Sequence, residues 1–300
     1  MTPVSRREML ASAVAGAAVV GLAGPVAAME PVKRSAASRM RIGLSAFSYK
    51  RFLYGQAEPK MTLPEFVDRA AKLGIDGVEL TEYFFPRPLP EDYMVKLRRQ
   101  CFVAGLDVTA TAMRNEFTRN PGPERDAEIA SCKAWIDRTA ELGAPCIRIF
   151  AGGVQQGQAP EQALRNAVAA IEECCDYAGA RGITLALENH GGIVRDADGV
   201  LALVRAVKSE WFGVNLDVGN FRTRDPYDDL ARCAPYAVTV HFKTEVTPLN
   251  ATTRETDYRR VARILRTAGY RGYVTLEYEG SGPPLTVVPS ALVRMRRAFA

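Results

Sequence analysis

Between residues 41 and 280 the chain repeats a two-part pattern. A short apolar or β-branched run comes first, then a longer stretch in which apolar residues recur at steps of three and four. Runs of the first kind predict strands at RIGLSAFSY, DGVELTEYFF, LDVTATAM, CIRIFAGG, ITLALENHGG, FGVNLDVGN, AVTVHFKTE and GYVTLEYEG. The second kind predicts helices between them: LPEFVDRAAKLG, PEDYMVKLRRQCFVAG, ERDAEIASCKAWIDRTAELG, Glu161–Arg181, Ala197–Ser209, Pro226–Cys233 and Asp257–Ala268. In the helix from Glu161, Leu164, Val168, Ile171 and Cys175 form one stripe, with Arg165, Glu172 and Glu173 lying elsewhere.

Strand runs such as ITLAL are almost continuously apolar, as expected when both faces of a sheet are covered. Several helices stop at a glycine just before the next strand, in LGIDGVEL, AGLDVTA, RGITLAL and AGYRGYV. No Pro/Gly/Ser linker interrupts the pattern. Eight βα units predict an α/β chain with a single (β/α)8 TIM barrel over residues 41–300. The alternative, an open doubly wound sheet, calls for a GxGxxG turn after its first strand, and LSAFSYKRF contains none.

The first thirty residues break this rhythm. Arg6 and Arg7 in SRREML precede an uncharged run from Leu10 to Gly24, and Val26-Ala27-Ala28 supplies the small residues of a cleavage site. These features predict a twin-arginine export signal over residues 1–28, a linker over 29–40 and a periplasmic protein free of the membrane once the signal is cleaved. An uncleaved anchor helix is the alternative, but the run is shorter than the roughly 20 residues a span needs. The six cysteines lack CxxC or ligand spacing and have apolar neighbours, so buried thiols are expected rather than disulfides. Charged residues are 24% of the chain and nearly balanced; a net charge of +5 spread along the chain gives no footing to a nucleic-acid partner.

Chemistry in a TIM barrel collects at the C-terminal strand ends. From the fifth predicted strand onward those ends carry Glu188, Asp217, His241 and Glu277, each directly after an apolar run: LAL, GVNL, VTV and VTL. A carboxylate at the edge of such a core is costly without compensation, and a divalent cation supplies it. Three carboxylates and one imidazole form a hard, oxygen-rich set that favours Mn²⁺ or Mg²⁺, with Co²⁺ or Zn²⁺ as alternatives. In LALENHGG, Asn189 is expected to orient the turn, and Gly191 and Gly192 to let backbone approach a substrate closely. His190, two positions beyond Glu188, is expected on the same side, binding substrate or moving a proton unless it makes a structural hydrogen bond in the loop.

The ordered set ENH, NLDVGN, VHFK and LEYE resembles the xylose isomerase-like TIM barrels, in particular the sugar phosphate isomerase/epimerase group that includes the ketose 3-epimerases. The resemblance spans about residues 41–280. It implies one divalent metal, usually manganese, magnesium or cobalt, held by Glu188, Asp217, His241 and Glu277. It also implies that Glu188 and Glu277 act as base and acid on the two faces of a sugar whose C–H lies next to a carbonyl. Asn220 stands where the ketose epimerases carry a substrate-binding histidine, and Lys243 matches a frequent H-x-K in which the lysine holds an oxygen of the substrate. Arg148 and the pair Glu79 and Glu82 are further mouth residues, or ordinary ion-pair partners.

Two positions depart from the ketose 3-epimerase pattern. Val194 replaces a substrate-holding glutamate, and HFKTEVTP has no counterpart of the ketose-anchoring arginine. Together with export, these departures point to a free, oxidised or glycosidic sugar or keto-sugar rather than a phosphorylated one. The leading expectation is a metal-dependent isomerase or epimerase working through an enediolate. The same metal and base serve a lyase that cleaves 3-keto-glycosides by elimination, and a non-catalytic sugar-binding barrel is a third class. The barrel's abasic-site endonuclease branch builds three zinc sites from many histidines, whereas this chain has two. Family members often pair, which implies a homo-oligomer.

Overall fold

Eight strands, β1 (Arg39–Ser45), β2 (Gly77–Thr81), β3 (Asp107–Ala112), β4 (Cys146–Ile149), β5 (Thr184–Glu188), β6 (Phe212–Asp217), β7 (Ala237–Phe242) and β10 (Arg271–Leu276), close into a parallel barrel in the order β1-β10-β7-β6-β5-β4-β3-β2. The structure is a computed structural model that describes residues 29–300; the predicted export signal lies outside the described residues. Two short strands, β8 (Glu245–Val246) and β9 (Arg254–Glu255), pair antiparallel in a hairpin above β7. No sequence pattern predicted this hairpin, because each of its strands is only two residues long.

A short helix, α1 (Lys50–Leu53), precedes eight helices that cover the barrel: α2 (Leu63–Lys72), α3 (Tyr93–Val103), α4 (Pro123–Leu142), α5 (Pro160–Gly179), α6 (Ala197–Ala206), α7 (Pro226–Cys233), α8 (Tyr258–Thr267) and α9 (Pro284–Phe299). Local chemistry sets their ends. Thr62 and Glu65 form a reciprocal capping box at the start of α2, and Asp196, Asp225 and Asp257 cap α6, α7 and α8 through their side chains. The four glycines read as helix stops, Gly74, Gly105, Gly182 and Gly269, all have positive φ, which releases the chain from the helix toward the next strand. α9 falls beyond the periodic stretch; two prolines, Pro284 and Pro289, obscure its spacing.

Several predicted strands run too long. TEYFF and AFSY leave the barrel as 3-10 turns at Glu82–Phe84 and Ala46–Tyr49, because the ladder ends where the chain turns outward to its helix. The buried face of α5 is also rotated from the expected stripe. Ala163, Ala167, Ala170, Ile171, Cys174 and Cys175 are buried, while Leu164 and Val168 are only half-buried. Small alanines let α5 lie close on the sheet. All six cysteines are buried and unbonded, as expected.

Residues ahead of β1 are tied to the N-terminal end of the barrel. Val32 N donates to Pro235 O at 2.9 Å, Arg34 Nη2 to Ala237 O at 2.7 Å and Ser38 Oγ to Tyr270 O at 2.6 Å. Among the described residues no helix is long and apolar enough to cross a membrane.

Candidate metal and substrate site

The parallel register brings the four predicted ligands to one level. Glu188 pairs with Asn215 across β5 and β6, Asp217 with His241 across β6 and β7, and His241 with Thr275 across β7 and β10, two residues short of Glu277. One donor atom from each of Glu188, Asp217, His241 and Glu277 lies within 4.8 Å of the others, and all four residues are buried. His241 Nδ1 faces the centre, 3.6 Å from Oε2 of both Glu188 and Glu277 and 4.0 Å from Asp217 Oδ2.

Two atoms at this centre lack compensation. His241 Nδ1 is buried with no hydrogen-bond partner, and so is Asp217 Oδ2, although the Lys243 ammonium stands 3.3 Å from it. Buried polar atoms are rarely left unpaired. A lone pair on Nδ1 together with three carboxylates suits a hard divalent cation, so the group can hold a metal ion.

A surrounding set of hydrogen bonds fixes the donors. Glu79 on β2 reaches across the barrel and binds His241 Nε2 at 2.6 Å, with its other oxygen accepting from Ser45 Oγ at 2.9 Å. A proton held on Nε2 by this carboxylate would leave Nδ1 as the ligand atom facing the centre once the ring gives up its second proton to an incoming cation. Asn189 clips the ends of β5 and β6 together, donating to Asp217 O at 3.0 Å and accepting from Asp217 N at 2.8 Å. Asp217 Oδ1 accepts from Gly219 N at 2.8 Å. Glu188 accepts from Asn220 Nδ2 at 2.8 Å and from Asn215 Nδ2 at 3.3 Å.

Burial and charge pull the acids apart. Burial, with Glu188 and Glu277 nearby and only partly offset by Lys243, pushes the Asp217 carboxyl up to about 7. Burial alone would also raise Glu277, but His241, Lys243 and Arg148 outweigh it and hold that carboxyl below the ordinary carboxylate range. His241 is raised well above the usual imidazole value despite burial, because Glu79 and Glu277 flank it.

The residues expected to meet substrate surround this centre. Arg148 is buried, with Nε 2.9 Å from Glu188 Oε2 and Nη1 donating to Met113 O at 2.8 Å. Lys243 is held by Glu279 at 2.6 Å, by Asn220 Oδ1 at 2.9 Å and by Glu277 at 3.4 Å. Asn220 therefore bridges Glu188 and Lys243. His190 lies past the end of β5, so strand alternation no longer sets its direction. It is exposed, its ring packs on Phe150 with centroids 4.5 Å apart, and its side chain makes no hydrogen bond to the described residues. Val194 is buried in the core and offers nothing to a ligand. Gly192 serves a different purpose from the one expected: a Cβ there would sit 2.1 Å from Gly152 O, so it admits the neighbouring β4 loop rather than a substrate.

Above the cluster lies a cavity of about 290 Å³ walled by Phe47, Tyr83, Phe150 and His190, with Arg148, Glu188, Lys243 and Glu277 in its floor. His190 and Glu279 also line a larger groove of about 890 Å³ that runs outward past Asn220 and Leu249. Sequence reading missed Glu279 and the aromatic wall, and left Glu79 as an undifferentiated mouth residue. Both acids had a signal: GVE sets a carboxylate inside a buried strand run, and Glu279 stands two residues beyond Glu277. Glu82 is bound by Arg87 at 2.9 Å and stands apart from the cluster.

The sequence model described as "Xylose isomerase-like TIM barrel" matches residues 67–298. No curated protein sequence matches. Among solved structures, a xylose isomerase domain protein from Planctomyces limnophilus is 19% identical with a TM-score of 0.64, over 87% of this chain and 98% of that one. A 3-keto-D-glucoside 4-epimerase from E. coli is 15% identical with a TM-score of 0.68, over 86% and 100%. A D-psicose 3-epimerase from Clostridium cellulolyticum H10, solved with D-tagatose, is 16% identical with a TM-score of 0.69, over 87% and 99%. At these identities the likeness establishes the fold.

Proposed function

The chain belongs to the xylose isomerase-like TIM barrel family, and from that premise we propose that it is a divalent-metal-dependent sugar isomerase or epimerase that moves a proton at a carbon next to a carbonyl. The observation that carries the reading is the convergence of Glu188 and Glu277 on one buried centre and on the floor of one sugar-sized cavity. Glu188, Asp217, His241 and Glu277 would hold the ion, Mn²⁺ in the first instance, with Mg²⁺, Co²⁺ or Zn²⁺ as alternatives. When bound, such an ion polarises a carbonyl and its neighbouring hydroxyl and so acidifies the C–H between them.

The chain's own residues supply the rest. One of Glu188 and Glu277 takes the proton and the other returns one, the order being set by the epimer that binds. Arg148 and Lys243 place positive charge where the oxygens of the deprotonated sugar gain negative charge. Phe47, Tyr83, Phe150 and His190 give the sugar an aromatic wall to pack against. The test is solvent deuterium incorporation into keto sugars by metal-loaded protein. Deuterium on the carbon beside the carbonyl is the expected result, and no exchange in any keto sugar with metal bound would overturn the proposal.

The outer groove favours a second reading. About 890 Å³ beyond His190 leaves room for a second group joined to the reacting sugar. A 3-keto-glycoside fits such a shape, and abstraction of the same proton would then expel the aglycone. Measured side by side, released aglycone without epimer selects the lyase, and epimer without aglycone selects the isomerase. We further propose export by the twin-arginine route, resting on Arg6, Arg7 and the small residues ending at Ala28; a mature N-terminus after Ala28 in periplasmic protein is the expected result.

A further inference from the structure

The outer groove is electrostatically one-sided. Arg222 and Arg224, on the loop after β6, line it, are exposed and have no ion-pair partner among the described residues. Arg195, on the loop after β5, meets only its neighbour Asp196, at 3.6 Å, with its side chain 80% exposed. The two acids in the groove are already engaged. Asp196 caps α6 through Gly199 N at 2.9 Å, and Glu279 is bound by Lys243 and Lys50.

The loop carrying these arginines is braced rather than loose. Leu249 N donates to Thr223 O at 2.8 Å, and the Thr223 hydroxyl binds Asp229 at the start of α7. Two guanidinium groups are therefore held on a fixed backbone at the far end of a passage whose near end is His190 and Glu279. An unpaired guanidinium offers a planar fork that matches a carboxylate.

We infer that the groove is a carboxylate-binding subsite, read by Arg222 and Arg224 with Arg195 at its edge, and that the substrate is a sugar joined to an acidic group that extends past His190. This inference deepens the functional reading above and rests on it for the position of the sugar. It adds a specificity determinant outside the metal centre: the cluster selects the reacting sugar, and the arginines select what is attached to it.

The test uses full-length metal-loaded protein and two probes that differ only in charge, 4-carboxyphenyl and 4-carbamoylphenyl β-D-glucoside. Neither has a carbonyl in its sugar, so neither is turned over, and calorimetry reports binding alone. The carboxylate probe is expected to bind about five- to tenfold more tightly, with the advantage shrinking as salt is raised. The double variant R222Q/R224Q should abolish that preference. R259Q/R263Q, which removes the same charge from the outer face of α8, should keep it. Equal affinity for the two probes, binding of neither, or a preference that survives R222Q/R224Q or is lost equally in R259Q/R263Q overturns the inference. The functional reading fails separately: a retained carboxylate preference with no deuterium exchange in the 3-keto forms removes the reaction and leaves the subsite standing.

Discussion

Glu79 and His241 meet at 2.6 Å across the barrel although 162 positions separate them in sequence. The contact joins β2 to β7, so the second strand of the chain orients a side chain of the candidate metal site on the seventh. Replacing the carboxylate by an amide of the same shape removes the negative charge that keeps the proton on Nε2 and leaves at most a weaker, neutral acceptor. Glu79→Gln is expected to lower metal affinity about 10- to 100-fold while the far-ultraviolet circular dichroism of the barrel stays unchanged. Equilibrium metal titration of the two proteins checks this, and an unaltered affinity would show that Glu79 has no hold on the imidazole.

Metal removal should be felt in stability as well as activity. A chelator leaves three acids crowded around Nδ1, and free ion at about one hundred times its Kd should restore about 2.7 kcal/mol. The pH dependence has a definite sign. Asp217, pushed up to about 7 in the metal-free protein, and His241, raised well above the usual imidazole value, both hold protons that an incoming cation must displace. Apparent metal affinity should therefore weaken as pH falls below that value, and calorimetry in buffers of different ionisation heat should register proton release.

The two glycines after His190 should respond unequally. Gly191 has φ +68 and open space around its missing Cβ, so Gly191→Ala meets only backbone strain, about 1 to 2 kcal/mol. Gly192 has φ +55 and the Gly152 carbonyl at 2.1 Å, and neither backbone can yield without moving a whole loop. Gly192→Ala should cost at least about 3 kcal/mol. Denaturant melts of both variants give the comparison, and equal losses would contradict the packing described here.

Much of this was legible in the chain because each signal was local. The apolar runs LAL, GVNL, VTV and VTL announced buried strands, and the residue that followed each run announced the mouth, so the four converging side chains could be picked out in order. Glu79 looked like the others but could not be given its partner, since only closure of the barrel carries β2 to within reach of β7. His190 does line the cavity above Glu188, but strand alternation was not the reason, since β5 ends two residues earlier and the ring is set by its packing on Phe150. The arginines of the groove lie in TRD and NFRT, where no periodicity constrains a loop and only the fold reveals a shared wall.

The thiols offer a check on the core itself. Burial pushes Cys101, Cys146 and Cys233 up to about 12, far above the pH at which alkylating agents work. At about pH 8 the folded protein is expected to resist iodoacetamide, and all six cysteines should react once it is unfolded. Mass spectrometry counts the adducts; rapid native labelling would show that helices such as α5 lie less closely on the sheet.

The anchoring of Val32, Arg34 and Ser38 at the N-terminal end of the barrel has a bearing on traffic. Those bonds fasten the chain's leading segment at the pole opposite the strand ends that carry the chemistry. The segment just before β1 therefore runs along the base of the barrel, away from the mouth. If the proposed export and metal binding hold, residues 32–38 would leave the entrance uncovered while an ion is loaded.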